Sequence, residues 1–329
     1  MSNYFRTPLF PSIDLSTKCN LSCIHCRNNK NKISKIPFKK VIELLDEFES
    51  LEVFHLAFAG GEPFLFPKIY DVLEYSQKLN VPKVTIVTNC TFINKDRIDK
   101  LDNNKIRFAV SLDGPKEIHN FIRNADVFDK VIDNIKYLVS KGFFVMLNCT
   151  LMKYNYKYFD EIIKIAKNLK VNQINFSKVF PVHSEIIKFM LSKEELDELY
   201  ENYRKYSGED SLVIFLDKGY MGFPDAYDSD IAFSMGCRAG ISQINVMSDG
   251  SVVGCKLLPD VCAGNIYKNT IKEIWDDNNN WKLFRNVIQN INSDTCKKCD
   301  YFYACKGGCR AFAYYMTGDI NGKDPLCPL

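Results

Sequence analysis

The sequence predicts an α/β fold: a partial (β/α)6 barrel, two units short of a closed eight, followed by a cysteine-rich C-terminal domain. Three observations predict it. Apolar, β-branched runs alternate with amphipathic stretches through the first 190 residues, the pattern of parallel βαβ units with right-handed crossovers. The alternation then gives way to a polar helical stretch and a Gly/Asp-rich segment. Beyond these, eight of the 13 cysteines fall between Cys237 and Cys327. A doubly wound sheet fits the same alternation and stands as the alternative. The expected boundaries are 1–190 for the barrel, 191–235 for a helical bridge and 236–329 for the cysteine-rich domain.

Strands are predicted at residues 9–15, 54–59, 83–88, 106–112, 143–150 and 173–179, where β-branched and aromatic residues cluster. Helices are predicted at 38–51, 69–79, 93–101, 127–139 and 159–169. In the fourth of these, Val131, Ile132, Ile135, Leu138 and Val139 recur at helical spacing. A polar helix over 192–206 and the Gly/Asp-rich stretch over 217–230 lead to the tail. There, segments 243–247 and 251–254 flank Ser248-Asp249-Gly250, a β-hairpin signal.

The chain has 329 residues, 46 % hydrophobic and 25 % charged, which excludes a disordered or fibrous protein. With 43 Lys and Arg against 40 Asp and Glu the net charge is +3, giving no basis for a nucleic-acid or membrane partner. No apolar run reaches the ~18 residues of a membrane helix. Residues 1–10 lack the apolar core of a signal peptide, so a cytoplasmic location is expected. In a reducing compartment, clustered cysteines more often bind metal or do redox chemistry than pair as disulfides.

Cys19-x3-Cys23-x2-Cys26 lies just past the first predicted strand, where barrel enzymes build their sites. Three thiolates in a short loop can hold three corners of a cubane iron–sulfur cluster. The fourth iron then lacks a protein ligand, and an open coordination position marks a reactive site. The alternative is a structural zinc loop, with His25 or a distant residue as fourth ligand.

Gly60-Gly61-Glu62-Pro63 follows the second strand. Two glycines let backbone approach a ligand, and Glu62 offers an acceptor for an ammonium; a plain helix-entry turn is the other reading. Ser111 and Asp113, two residues apart, share one face at the end of the fourth strand, or simply form a strand-ending turn. Arg123 offers a guanidinium fork for a carboxylate, or is a solvated surface residue. Cys149 reads as a small hydrophobe inside an apolar strand.

These segments together resemble the radical S-adenosylmethionine (SAM) enzymes. The resemblance implies that Cys19, Cys23 and Cys26 hold a [4Fe-4S] cluster whose open iron is chelated by SAM. It also implies that Gly60, Gly61, Glu62 and Pro63 contact the SAM amino group, and that Ser111 and Asp113 reach the ribose and nearby polar groups. Arg123 would meet the SAM carboxylate. Asn89 belongs to Thr88-Asn89-Cys90, where the family usually has Thr-Asn-Gly; Cys90 departs from that pattern and reads as packing. The tail, with Cys237 and Cys255 around Gly250 and then Cys296, Cys299, Cys305, Cys309 and Cys327, resembles the SPASM domain of peptide-modifying radical SAM enzymes.

That likeness implies two auxiliary clusters, one held by Cys296, Cys299, Cys305 and Cys327 and the other by Cys237, Cys255 and Cys309. Cys262 is the natural fourth ligand of the second, with a spectator thiol as the alternative. Lys256 stands where sulfatase-maturing relatives carry a catalytic Asp, which weighs against that activity; on its own it reads as a solvated hairpin residue.

The expected activity is reductive cleavage of SAM to a 5′-deoxyadenosyl radical and oxidative modification of a ribosomal peptide by cross-linking, thioether formation or decarboxylation. The alternatives are radical chemistry on a tetrapyrrole or other small cofactor, and a non-enzymatic electron-transfer protein. With the first cysteine at position 19, no room is expected for an N-terminal leader-binding domain. A separate leader-binding protein is therefore an expected partner, together with a ferredoxin or flavodoxin as electron donor.

Overall fold

The computed structural model describes residues 4–27, 33–182, 184–206, 212–216 and 236–327. Seven parallel strands follow one another in chain order: β1 (Phe10–Asp14), β2 (His55–Ala59), β3 (Lys83–Thr88), β4 (Ile106–Ser111), β5 (Phe144–Leu151), β6 (Gln173–Lys178) and β7 (Val213–Leu216). The order never reverses, so there is no topological switch point, and the doubly wound alternative is excluded. Six of these strands coincide with the predicted runs. The seventh falls inside the expected 191–235 bridge and extends the barrel sheet by pairing with β6. It is four residues long, with Val213 and Phe215 more than half exposed, so it carries no burial pattern for sequence analysis to find. The Gly/Asp-rich stretch over 217–230 lies outside the described residues.

Helices α1 (Phe38–Ser50), α2 (Ile69–Ser76), α3 (Lys95–Ile98), α4 (Lys116–Arg123), α5 (Phe128–Ser140) and α6 (Phe159–Asn168) fill the crossovers. In α1 the buried set Val41, Leu44, Leu45 and Phe48 repeats at one helical turn, which is why the segment coils against the sheet. Unpredicted α4 buries His119, Ile122 and Arg123; its inward face is mostly polar and gives no apolar period. Along β5, Val145, Leu147, Cys149 and Leu151 are buried while the alternate residues are less so. The same alternation turns Asn148 and Thr150 to the opposite face.

The predicted hairpin forms as β8 (Gln243–Val246) and β9 (Ser251–Val253), with β10 (Cys262–Asn265) beside it. It is continuous with the barrel: β8 pairs in parallel with β1, from Phe10↔Gln243 to Ile13↔Val246. The result is one open ten-stranded sheet running from β10 through β1 to β7.

Phe108 on β4 is fully buried, stacked on Phe64 at 6.5 Å and edge-on to Phe143 at 5.2 Å. Phe108→Ala should cost about 3–5 kcal/mol, read as a lower urea midpoint at unchanged slope.

Candidate active site

The site begins where the backbones leaving β1 and β2 meet. Gly61 N–H donates to Ser16 O at 2.7 Å and Glu62 N–H to Lys18 O at 2.8 Å. Only glycine permits this approach: a Cβ on Gly61 would lie 2.1 Å from Lys18 O, and one on Gly60, at φ +125°, would lie 2.4 Å from Ser16 O. The cysteine loop that follows is held on two further sides. Ile24 N–H donates to Ile122 O at 3.0 Å, and the Asn89 amide donates to Asn20 Oδ1 at 3.0 Å.

A cavity of about 560 Å³ opens here, at the C-terminal ends of the strands. Cys19, Cys23 and Cys26 line it beside Gly60 and Gly61, with Asn89, Ser111 and Arg123 also in the wall. Burial pushes the Cys19 thiol up, and the Cys23 thiol up against the opposing pull of Arg123. His25 also faces the cavity, and burial lowers it to about 4, so its ring is neutral near pH 7. Among the described residues, no three His, Cys, Asp or Glu side chains close on a point as a single metal ion requires.

Two of the carboxylates expected at the site are engaged by protein groups. The Glu62 carboxylate is turned into protein: Oε1 accepts from Thr88 Oγ1 at 2.6 Å and Phe64 N at 3.1 Å, and Oε2 from Asn89 N at 2.7 Å. These bonds tie it into the cavity wall, and Pro63 is buried at the start of the 3-10 turn Pro63–Leu65. Asp113 is fully buried. Its Oδ2 is 2.6 Å from Arg123 Nη2, and its Oδ1 accepts from Thr150 N at 3.0 Å. Burial alone would lift the Asp113 carboxyl, but Arg123, then His25 and His119, hold it below its ordinary value.

Arg123 is thereby fixed with Nη1 3.6 Å from Cys23 Sγ and with Nε lacking a hydrogen bond. Cys90 is buried at φ +59°, the left-handed region that favours the glycine of the usual motif; burial pushes its thiol far up. Sequence reasoning missed Arg27, Asn148, Thr150, Asn175 and Ser177, which also line the cavity. For the last four the signal was present: polar residues two apart within apolar strands β5 and β6.

In the tail, burial raises the thiols of Cys237, Cys255 (to about 11) and Cys309, and Cys237 adds to the rise in both others. The three thiols are thus within electrostatic reach of one another. Cys262 begins the outermost strand of the sheet, and its exposed thiol donates to Gly264 O at 3.1 Å. Cys296 and Cys299 sit in an apolar group with Val287, Ile291 and Phe302. Asp324 draws the Cys327 segment to Cys309, accepting from Cys309 N at 2.8 Å and Leu326 N at 3.0 Å. Lys256 is no solvated hairpin residue: its ammonium bonds Asp14 and, at 2.7 Å, Ser12 Oγ.

The residues present suit a cluster with SAM. Three thiols share one cavity wall, the side-chain-free backbone of Gly60 and Gly61 lines the same cavity, and the buried Arg123 Nε–H has no hydrogen-bond acceptor.

Asp113→Asn should cost about 3–5 kcal/mol by leaving Arg123 buried without its counter-charge, measured by denaturation. Since the carboxyl titrates lower folded than unfolded, that contribution is present above the ordinary 3.8 and is lost as pH falls through the folded value. Brief alkylation of the native protein should modify Cys262 while sparing Cys90 and Cys149 until unfolding, as read by peptide mass mapping.

Residues 13–166 match the family model of the radical SAM superfamily, and residues 237–300 that of SPASM, an iron–sulfur cluster-binding domain. The AdoMet-dependent heme synthase of Methanosarcina barkeri is 26 % identical, over 98 % of this chain and 97 % of that protein. Mycofactocin maturase MftC of Mycobacterium tuberculosis is 23 % identical, over 97 % of this chain and 83 % of its own. The crystal structure of Streptococcus suis SuiB bound to precursor peptide SuiA superposes with a TM-score of 0.83 at 20 % identity, covering 99 % of this chain and 77 % of that one. With the thiol-lined cavity at the mouth of an open parallel barrel and a second set of thiols in the tail whose strands extend its sheet, the chain belongs to the radical SAM superfamily and carries a SPASM domain.

Proposed function

We propose that this protein is a SAM-dependent radical enzyme that oxidatively modifies a ribosomal peptide. The observation that carries the reading is Leu257. This residue, two past Cys255 in the tail, forms part of the wall of the cavity that holds Cys19, Cys23 and Cys26. A substrate in that cavity therefore touches both the radical-generating barrel and the segment bearing the auxiliary thiols. Likeness along nearly the whole chain to a maturase supports the same reading.

When bound at Cys19, Cys23 and Cys26, a [4Fe-4S] cluster supplies the electron that cleaves SAM into methionine and a 5′-deoxyadenosyl radical. The chain's own residues do the positioning. Arg123, oriented by Asp113, would offer its remaining N–H to the SAM carboxylate, and the Gly60–Gly61 backbone in the same wall would receive the amino group. Asn89 and Ser111 present polar groups along the same wall. Leu21, Val87, Val179, Phe180 and Leu257 give the cavity an apolar lining that shields a reactive species from water. Cys237, Cys255 and Cys309 would hold one auxiliary cluster, and Cys296, Cys299, Cys305 and Cys327 the other. A leader-binding protein and an acidic one-electron donor such as ferredoxin or flavodoxin complete the proposed partners.

The match to a heme synthase over 97 % of that protein's length favours a second reading, with a tetrapyrrole as substrate. Anaerobic turnover separates the two: peptides encoded beside the gene should lose hydrogen or carbon dioxide mass under SAM and dithionite, while porphyrins stay unchanged. Processing of porphyrin alone would reverse the assignment. The reconstituted chain should contain about twelve iron atoms, four per cubane. Cys23→Ala/Cys26→Ala should keep about eight of them and form no 5′-deoxyadenosine; continued formation would remove these thiols from the chemistry.

A further inference from the structure

The sequence of charges between the two cluster-bearing segments is unusual in its economy. Arg27 immediately follows Cys26, and Lys256 immediately follows Cys255. Both cations converge on one carboxylate, that of Asp14 at the end of β1: Arg27 Nη2 lies 3.3 Å from Oδ2, and Lys256 Nζ bonds Oδ1. Asp14 is almost wholly buried, its side chain 4 % exposed. Ser12, two residues earlier on the same face of β1, accepts a second bond from Lys256 at 2.7 Å. The path from Cys26 to Cys255 thus runs through one side chain on each segment and a single shared acid.

We propose that Asp14 is a positioning residue that ties the Cys26 loop to the Cys255 hairpin and sets the electrostatic potential that both thiols feel. This rests on the assignment of Cys26 and Cys255 as cluster ligands. Two cations and one anion leave a net positive charge between the two segments, in a place with little water to screen it. Iron–sulfur potentials follow local net charge, and groups one residue behind the ligands tune them strongly. Converting Asp14 to a neutral amide leaves both cations uncompensated, so an added electron is stabilised at each cluster. Removing Lys256 has the opposite sign: the remaining Asp14–Arg27 pair is neutral, and the hairpin cluster loses a nearby cation.

The test is an EPR-monitored redox titration of the reconstituted full chain, with signals assigned against Cys23→Ala/Cys26→Ala and Cys255→Ala. Asp14→Asn should raise the midpoint potentials of both clusters, Lys256→Met should lower that of the hairpin cluster, and Arg27→Met that of the first. A loss of packing would not produce shifts of opposite sign from neighbouring substitutions. Unshifted potentials, or shifts in one direction for all variants, overturn the tie while the ligand assignment stands. Should Asp14→Asn fail to fold, Lys256→Met and Arg27→Met decide the matter by the same criterion. A wild-type protein lacking either signal overturns the ligand assignment, and the tie with it.

Discussion

Everything in this site depends on one close backbone crossing, where the turn after β2 presses against the segment leaving β1. Two hydrogen bonds from Gly61 and Glu62 hold it, and no side chain fits between the strands at that point. The crossing converts a flexible nine-residue reach of chain, 19–27, into a platform whose thiols face a defined cavity. Glu62 then extends the order sideways to Thr88 and Asn89, and Asn89 returns to the cysteine loop through Asn20. The polar residues of the motif spend their hydrogen-bonding capacity on each other, and the surfaces left for a ligand are backbone and thiol.

Much of the barrel was legible because each buried strand and helix repeats its apolar residues at the period its geometry demands. The legibility fails where that period fails. Helix α4 turns His119 and Arg123 inward because they serve Asp113, and β7 exposes its apolar residues at an edge; neither looks like a core element when read locally. The cysteine sets and the glycine pair were readable because thiol spacing and the absence of a Cβ are local properties. The roles of Glu62 and Asp113 were not, since a carboxylate offers the same chemistry to a bound ammonium as to Thr88 or Arg123. Which partner wins is decided by residues far away in the chain. Lys256 shows the same limit: nothing beside it in sequence announces Asp14, 242 residues away.

The buried charges illustrate how such a site is kept ordered without a ligand. Asp113 and Arg123 neutralise one another below the cavity floor, and backbone donors from Thr150 and the ring of His119 complete the network. A pair this deep contributes little net stability over an apolar substitute, but it orients a guanidinium that could not otherwise be held in place. Asp324 orders the tail through backbone donors instead, its carboxylate joining Cys309 N–H to Leu326 N–H beside Cys327.

The continuity of the sheet has a further consequence. Since β8 lies against β1 through four consecutive residue pairs, the cysteine-rich tail is not a detachable cassette. A tail grafted from another protein would have to reproduce that register along β1, and a one-residue slip would turn every inward side chain of β8 outward. Divergence of the tail is therefore constrained by the first strand of the barrel as well as by its own thiols, and exchange of such modules between proteins is confined to partners that share the seam.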